Sequence, residues 1–448
     1  MTMEEDTDIV DLEYKNILDE EINNLLCDKW CFLNENWKTI LNKYNHRTEL
    51  KEIKNNSIKI AKEVLLNVLG YIPVFYFLNV LYGTREYAGP YREVEKGILL
   101  LYHIINGISG REMHKFIPYT TYYSLYKNFW YKNYGNINKQ VNNDLNSMFS
   151  NIKIRISSAL VNNPKPFKNV TLYIDGHDGK IKYYDPDTKT KELRSHKLDG
   201  PGLRTQIVTD TNKMILFISK TDKCGKGSDG TMFLDMKLYN KIHIGNCLGS
   251  DGGYNLYINQ FKEQSLNAGK DFSDKNFMYP IRKENNKDLL IDEIHYNKKF
   301  GSFRSEIEDQ FSVLGSKFSR FNNNTAAMLI TDIKYYNLQF RVACLLKNIW
   351  KMVEDYNIEI QPHHMLWYNN KFEFPKKESK LDLVFTNKID TDINIKEMKK
   401  LQKEILNLNI NNDEIEYNSD SEDIGMEEVP IKRKKVKKPV IFIENLNR

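Results

Sequence analysis

The chain is 448 residues long, enough for roughly two or three domains, and is 28% charged and 41% hydrophobic. Lys and Arg number 65 against 60 Asp and Glu, a mild excess of +5 that permits a polyanionic partner without requiring one. Five cysteines in no framework spacing exclude a disulfide scaffold and fit a reducing compartment.

The first eleven residues are acidic, unlike a signal peptide or an Arg-rich transit peptide. Ile9, Leu12, Ile17 and Ile22 recur at helical spacing, so two or three helices are expected between residue 8 and about 60. Cys27 and Cys31 stand four apart and could share a helix face, but no neighbouring Cys/His pair completes a zinc site. Val64 to Thr84 runs twenty-one residues without a charge, long enough to span a bilayer. Asn67, Asn79 and the Gly70-x-x-Pro73 break favour two buried helices instead, and no membrane partner is expected.

Val94, Ile98, Leu101 and Ile105 line one face of a helix that Asn106-Gly107 should stop. Ser109 with Glu112 signals a capping box for a short second helix ending by Pro118. Thr120 or Thr121 could cap a third, carrying Tyr123, Tyr126, Phe129 and Trp130 beside Lys127 and Lys132. Residues 91–135 therefore have the layout of a helix-turn-helix DNA reader, with Arg111, Lys115, Lys127 and Lys132 as candidate DNA contacts; a small structural bundle has the same layout. Residues 1–90 form a helical region before it, and 136–169, rich in Asn, Lys and Ser, read as a connector.

From Val170 strands dominate. Val170–Gly176 reads as a buried strand, Lys180–Tyr184 as a second, and Thr205–Thr209 with Met214–Ser219 as a hairpin. A Gly-rich loop, a helix Thr231–Tyr239, a strand Ile242–Leu248 and a strong helix from Ser302 come next. Beyond residue 372 the composition degrades into a charged tail, 373–448. Asp413 to Glu428 holds eight acids around Ser419 and Ser421, plausible phosphorylation sites. Lys432, Arg433, Lys434, Lys435, Lys437 and Lys438 then form a nuclear-import-type cluster or nucleic-acid arm, which points to a nuclear protein.

Three acids interrupt this pattern. Asp175 closes an apolar strand, where an ionised carboxylate is costly without a partner or metal. Asp251 comes after another strand and is trailed by Gly252 and Gly253, which would allow tight turning and close approach. Glu308 sits beside the helical stripe Ile307, Phe311, Leu314 and Phe318, with Arg304 one turn earlier to orient it or bind a phosphate oxygen. Carboxylates suit Mg²⁺ or Mn²⁺, and two such ions about 4 Å apart serve phosphodiester chemistry. Each acid alone is more often a turn or cap residue. Asp178, Glu306 and Asp309 are rival acids, read as solvated or supporting groups.

The span from Asp175 to about Lys347 resembles the DDE superfamily endonucleases, the transposases of the PIF/Harbinger type. The matching pieces come in order: Tyr173-Ile174-Asp175-Gly176; Ser195-His196-Lys197 before Leu203–Val208; Gly249-Ser250-Asp251-Gly252-Gly253-Tyr254; Tyr279-Pro280-Ile281-Arg282 and His295-Tyr296-Asn297; Arg304-x-x-x-Glu308-x-x-Phe311; and Arg341–Asn348. Ser250 for the usual glycine and His177-Asp178 after the first acid depart from the pattern. The resemblance implies an α/β fold, an RNase H-like mixed sheet flanked by helices over 170–372, preceded by the helix-turn-helix-like region. It also implies Asp175, Asp251 and Glu308 as ligands of two Mg²⁺ or Mn²⁺ ions, with DNA cleavage and strand transfer. A homo-oligomer and a separate DNA-binding accessory protein are further expectations. The alternatives are a domesticated, inactive DNA-binding protein and a membrane or scaffold protein built around Val64–Thr84.

Overall fold

A computed structural model of the chain describes residues 14–24, 56–83, 93–183, 188–283, 287–323, 328–330, 332–369 and 372. Cys27, Cys31, Ser419, Ser421, the acidic run and the cluster Lys432–Lys438 lie outside the described residues, as does most of the expected helical stretch 8–60.

The charge-free run breaks at Gly70. Helix α1 (Asn56–Leu69) ends there and α2 (Tyr71–Tyr76) begins, continuing as a π-helical turn to Tyr82. Gly70 has φ +80° and ψ −178°, a backbone state that only glycine adopts readily. Pro73 falls in the first turn of α2, where its missing N–H costs no hydrogen bond. The two helical pieces bend by 118°, and no single helix among the described residues is long and apolar enough to cross a membrane. Helix α3 (Glu93–Asn106) packs on α1 and stops at Gly107, whose φ is +63°. Ser109 N donates to Glu112 Oε2 (2.6 Å) and Glu112 N to Ser109 Oγ (3.2 Å), the expected reciprocal cap, though the segment it caps is only a 3-10 turn, Glu112–Lys115. Helix α4 (Tyr119–Tyr126) starts after Pro118, so neither Thr120 nor Thr121 caps it, and it runs on as a π turn to Tyr131.

The expected connector is helical. Helix α5 (Tyr134–Asp144) buries Ile137 and Val141, and α6 (Ile152–Asn162) is capped by the Asn151 side chain, which accepts from Lys153 N at 2.9 Å. The Asn- and Lys-rich composition is the outer face of α5, whereas in α6 Ile152 to Ala159 are all buried, Lys153 and Arg155 included.

The sheet is built on β1 (Leu172–Tyr183), twelve residues long; the separately expected strand at Lys180–Tyr184 is mostly its continuation. The short strand β2 (Arg194–Ser195) precedes β3 (Gly200–Asp210), which pairs antiparallel with β1 from Leu172↔Asp210 to Lys180↔Gly202. The hairpin to β4 (Ile215–Ile218) turns on Asp210, whose Oδ1 accepts from Asn212 N (3.0 Å) and Met214 N (2.9 Å). Strand β5 (Asp222–Lys223) adds to β3, and helix α7 (Asp229–Asp235), capped by Ser228, is shorter than expected because Lys237 turns left-handed. Only Leu248–Ser250 forms β6, not Ile242–Leu248, since Asn246 folds back through its side chain to His243 O at 3.0 Å. Helix α8 (Ile258–Asn267), strand β7 (Phe277–Met278), helix α9 (Ile291–Lys317), strand β8 (Met328–Ile330) and helix α10 (Ile333–Asp355) complete the order. α9 begins eleven residues before Ser302.

Strands β6 and β8 join β1 in parallel, β7 joins β6 in parallel, and β3 with β4 runs antiparallel. This mixed sheet, flanked by helices and preceded by a helical region, is an RNase H-like α/β architecture. It resembles the broad RNase H-like and DDE superfamily fold without singling out the PIF/Harbinger type. Helix α10 covers the β4 edge. Asn348 both accepts from Ile215 N (2.9 Å) and donates to Ile215 O (2.7 Å), and Arg341 Nη2 donates to Ile218 O (2.8 Å). Those bonds occupy backbone groups that an open edge would offer to another chain.

Candidate active site

Side chains alternate along β1, so Tyr173, Asp175 and His177 share one face. Helix α9 crosses that face. Phe303 meets the Tyr173 ring edge-on at 5.1 Å, and Phe311 stacks on His177 at 4.8 Å. These contacts bracket Asp175 and bring the intervening turns of α9 over it. Arg304 and Glu308, one step round from the buried Phe303 and Ile307 and the partly buried Phe311, reach the same spot. Arg304 Nη1 donates to Asp175 Oδ2 at 3.0 Å and Nη2 to Glu308 Oε1 at 2.8 Å. One guanidinium thus joins two acids separated by over a hundred residues.

The sheet delivers the third. Ile174 pairs with Ser250, the last residue of β6; Asp175 comes next on β1 and Asp251 just after the end of β6. Their backbones therefore lie about one strand spacing apart, roughly 4.8 Å. The Asp251 carboxylate is exposed, and its charge acts on Arg304 and on Tyr254. Burial lifts the Asp175 carboxyl above its ordinary range, against the pull of Lys197, Arg304 and the Gly176 amide. Burial also opposes the Arg304 charge, but Asp175, Asp251 and Glu308 together hold its pKa above the usual value. His177 is driven down to about 4, chiefly by burial, and is a neutral ring packed between Phe311 and Phe340.

Of the three acids expected from the sequence, Asp175 and Glu308 pair with Arg304, while Asp251 reaches it only through its charge. They do not close on one another: among the described residues no three His, Cys, Asp or Glu side chains stand in metal-holding arrangement. The donor chemistry, carboxylate oxygens alone, fits a hard divalent cation, and a guanidinium stands among the donors. Gly252 lies under Arg282, whose Nε would be 3.3 Å from a β-carbon there, whereas Gly253 has open space and an ordinary helical φ of −62°. Close approach is thus needed at Gly252 only.

A buried polar network lies under the site, and its pairing was not among the sequence expectations although some of its members were. Asp178, expected as a solvated or supporting acid, is buried and takes Arg204 on both oxygens (2.6 and 2.8 Å), with Ser195 Oγ donating to Oδ2 at 2.6 Å. Burial alone would raise the Asp178 carboxyl, but Arg204 and Ser195 hold it below its usual range. Arg204 also approaches Asp229 at 3.4 Å, and Asp229 Oδ1 would be 2.7 Å from a β-carbon on Gly176. Lys197 Nζ donates to Gly176 O at 3.2 Å. The available signal was an opposite charge within each of two adjacent apolar strands. Glu306 is half-exposed beside Lys213 and Asp309 is exposed, as expected of bystanders.

Arg111, Lys115, Lys127 and Lys132 are all exposed on the helical region. Tyr119 and Tyr123 are exposed beside them and stack at 6.0 Å, with Lys127 Nζ 4.6 Å from the Tyr123 ring centre. Comparison with family models, curated proteins and solved structures gives no match to this chain.

Proposed function

We propose that the chain is a metal-dependent DNA endonuclease of the DDE transposase kind, cutting phosphodiesters and transferring the freed strand. The fold is compatible with the broad nuclease and recombinase superfamily. What carries the finer reading is the convergence of Asp175 and Asp251 from adjacent parallel strands with Glu308 from the helix crossing them. Those three residues would hold the divalent ions. When bound, Mg²⁺ or Mn²⁺ supplies charge neutralisation on the phosphate, an activated oxygen nucleophile and a stabilised leaving oxygen. The protein's own part is placement: Arg304, Lys197 and Arg282 surround the acids with donors suited to phosphate oxygens. The Tyr173–Phe303 and His177–Phe311 contacts keep water from the inner side of Asp175.

Asp251→Ala should abolish Mg²⁺-dependent nicking of supercoiled plasmid while leaving salt-sensitive DNA binding intact; nicking equal to the wild type rejects the assignment. A DNA-binding protein without chemistry is the second reading, favoured by the Arg304 ion pairs that already occupy two of the acids. Failure of the wild type to nick under Mg²⁺ and under Mn²⁺ selects it. Nuclear residence, self-association and an accessory DNA-binding partner belong to the same proposal. Deleting Lys432–Lys438 should move a tagged chain out of the nucleus, and unchanged imaging counts against import through that cluster.

A further inference from the structure

Arg304 stands where a cation belongs. Its side chain is 18% exposed, and it divides its two amino groups between Asp175, itself 10% exposed, and Glu308. The helix carrying it packs on β1 on both sides of Arg304, through Phe303 against Tyr173 and Phe311 against His177. Glu308, at 55%, faces solvent, which gives the guanidinium a path outward. Two further cations rest on backbone next to the acids, Lys197 on Gly176 and Arg282 against Gly252. A guanidinium fork binds phosphate in the same bidentate manner as carboxylate.

We infer that Arg304 is an exchangeable internal counter-ion. In the DNA-free protein it neutralises Asp175 and Glu308 and disfavours divalent ions. An arriving phosphate takes over the guanidinium and frees the carboxylates for the metal. This rests on the metal-site reading above, and the test separates the two.

Mn²⁺ binding to the full chain without DNA is measured by electron paramagnetic resonance for wild type, Arg304→Gln, Arg304→Lys and Asp175→Asn. Arg304→Gln should bind Mn²⁺ at least tenfold more tightly than wild type. Arg304→Lys, which keeps the charge and loses the fork, should fall between, and it carries the comparison if the glutamine variant does not fold. Asp175→Asn should bind most weakly. Equal or weaker binding by the Arg304 variants, with Asp175→Asn still impaired, overturns the counter-ion and leaves the metal site standing. Binding unaffected by any substitution, Asp175→Asn included, overturns both. In EDTA, Arg304→Gln should lower the slope of log affinity for duplex DNA against log salt by about one. An unchanged slope overturns the transfer to phosphate.

Discussion

At the scale of single residues, the buried pair beneath the site sets the largest local stake. Asp178 and Arg204 have side chains 1% and 13% exposed, so removing Asp178 leaves a buried guanidinium with only the longer Asp229 contact at 3.4 Å and the Gly227 carbonyl. Asp178→Ala should lower the unfolding free energy by about 3–5 kcal/mol in urea titration; a loss under about 1 kcal/mol would show that solvent reaches Arg204. Asp210 offers a pH signature. Burial pushes its carboxyl up to about 6 from an ordinary 3.8, against the hairpin amides and the nearby Arg155 and Lys347. A raised acid keeps its proton longer in the folded state, so stability falls as pH climbs from about 4 to 6 and is flat above. Asp210→Asn should abolish a decline on the order of 2–3 kcal/mol across that window, and parallel curves for the two proteins would refute it. Asp175, Asp251 and Glu308 stood out because a charge ends an apolar strand, follows one or edges a helical stripe, and the family resemblance grouped them. The Asp178–Arg204 pair was not, because its partners are chosen by antiparallel register, which one strand's sequence does not encode.

At the scale of elements, Gly70 makes a sharp case. A β-carbon there meets nothing within 4 Å, so any cost of Gly70→Ala comes from its backbone angles alone. We expect a loss of about 1–3 kcal/mol by thermal unfolding, and an unchanged melt would mean the α1–α2 bend tolerates another conformation. The exposed bases of the helical region predict a second outcome. Lys127→Glu with Lys132→Glu should weaken duplex binding at every sequence tested and flatten its salt dependence; unaltered binding would move the DNA contact elsewhere. Periodicity revealed α3, the Gly70 break and the β3–β4 hairpin. It missed α5, where a few buried apolar residues sit in a polar sequence, and α6, which is buried all round and so shows no one-sided stripe, and it misplaced β6, where side-chain bonds to the backbone replaced the ladder.

For the molecule as a whole, α10 is a shared wall. It packs on α5 and α2 on one side and on β4 on the other. The 3-10 turn Pro362–Tyr368 returns to α2, where Trp367 Nε1 donates to Tyr71 O at 3.1 Å and His363 and His364 face Phe75. The helical region and the sheet therefore share one core. We expect a single urea transition, coincident by tryptophan fluorescence and far-ultraviolet dichroism, and a fragment of residues 170–372 alone should lack a cooperative melt. Two separate transitions would break this picture. The sequence divided these regions because composition changes at their borders, while the contact that unites them lies far downstream in the chain. The register of β1 and β6 has a further consequence for change over generations. Loops between the acids can lengthen or shrink while Asp175 and Asp251 stay neighbours, but a one-codon insertion inside either strand would turn its acid to the opposite side of the sheet.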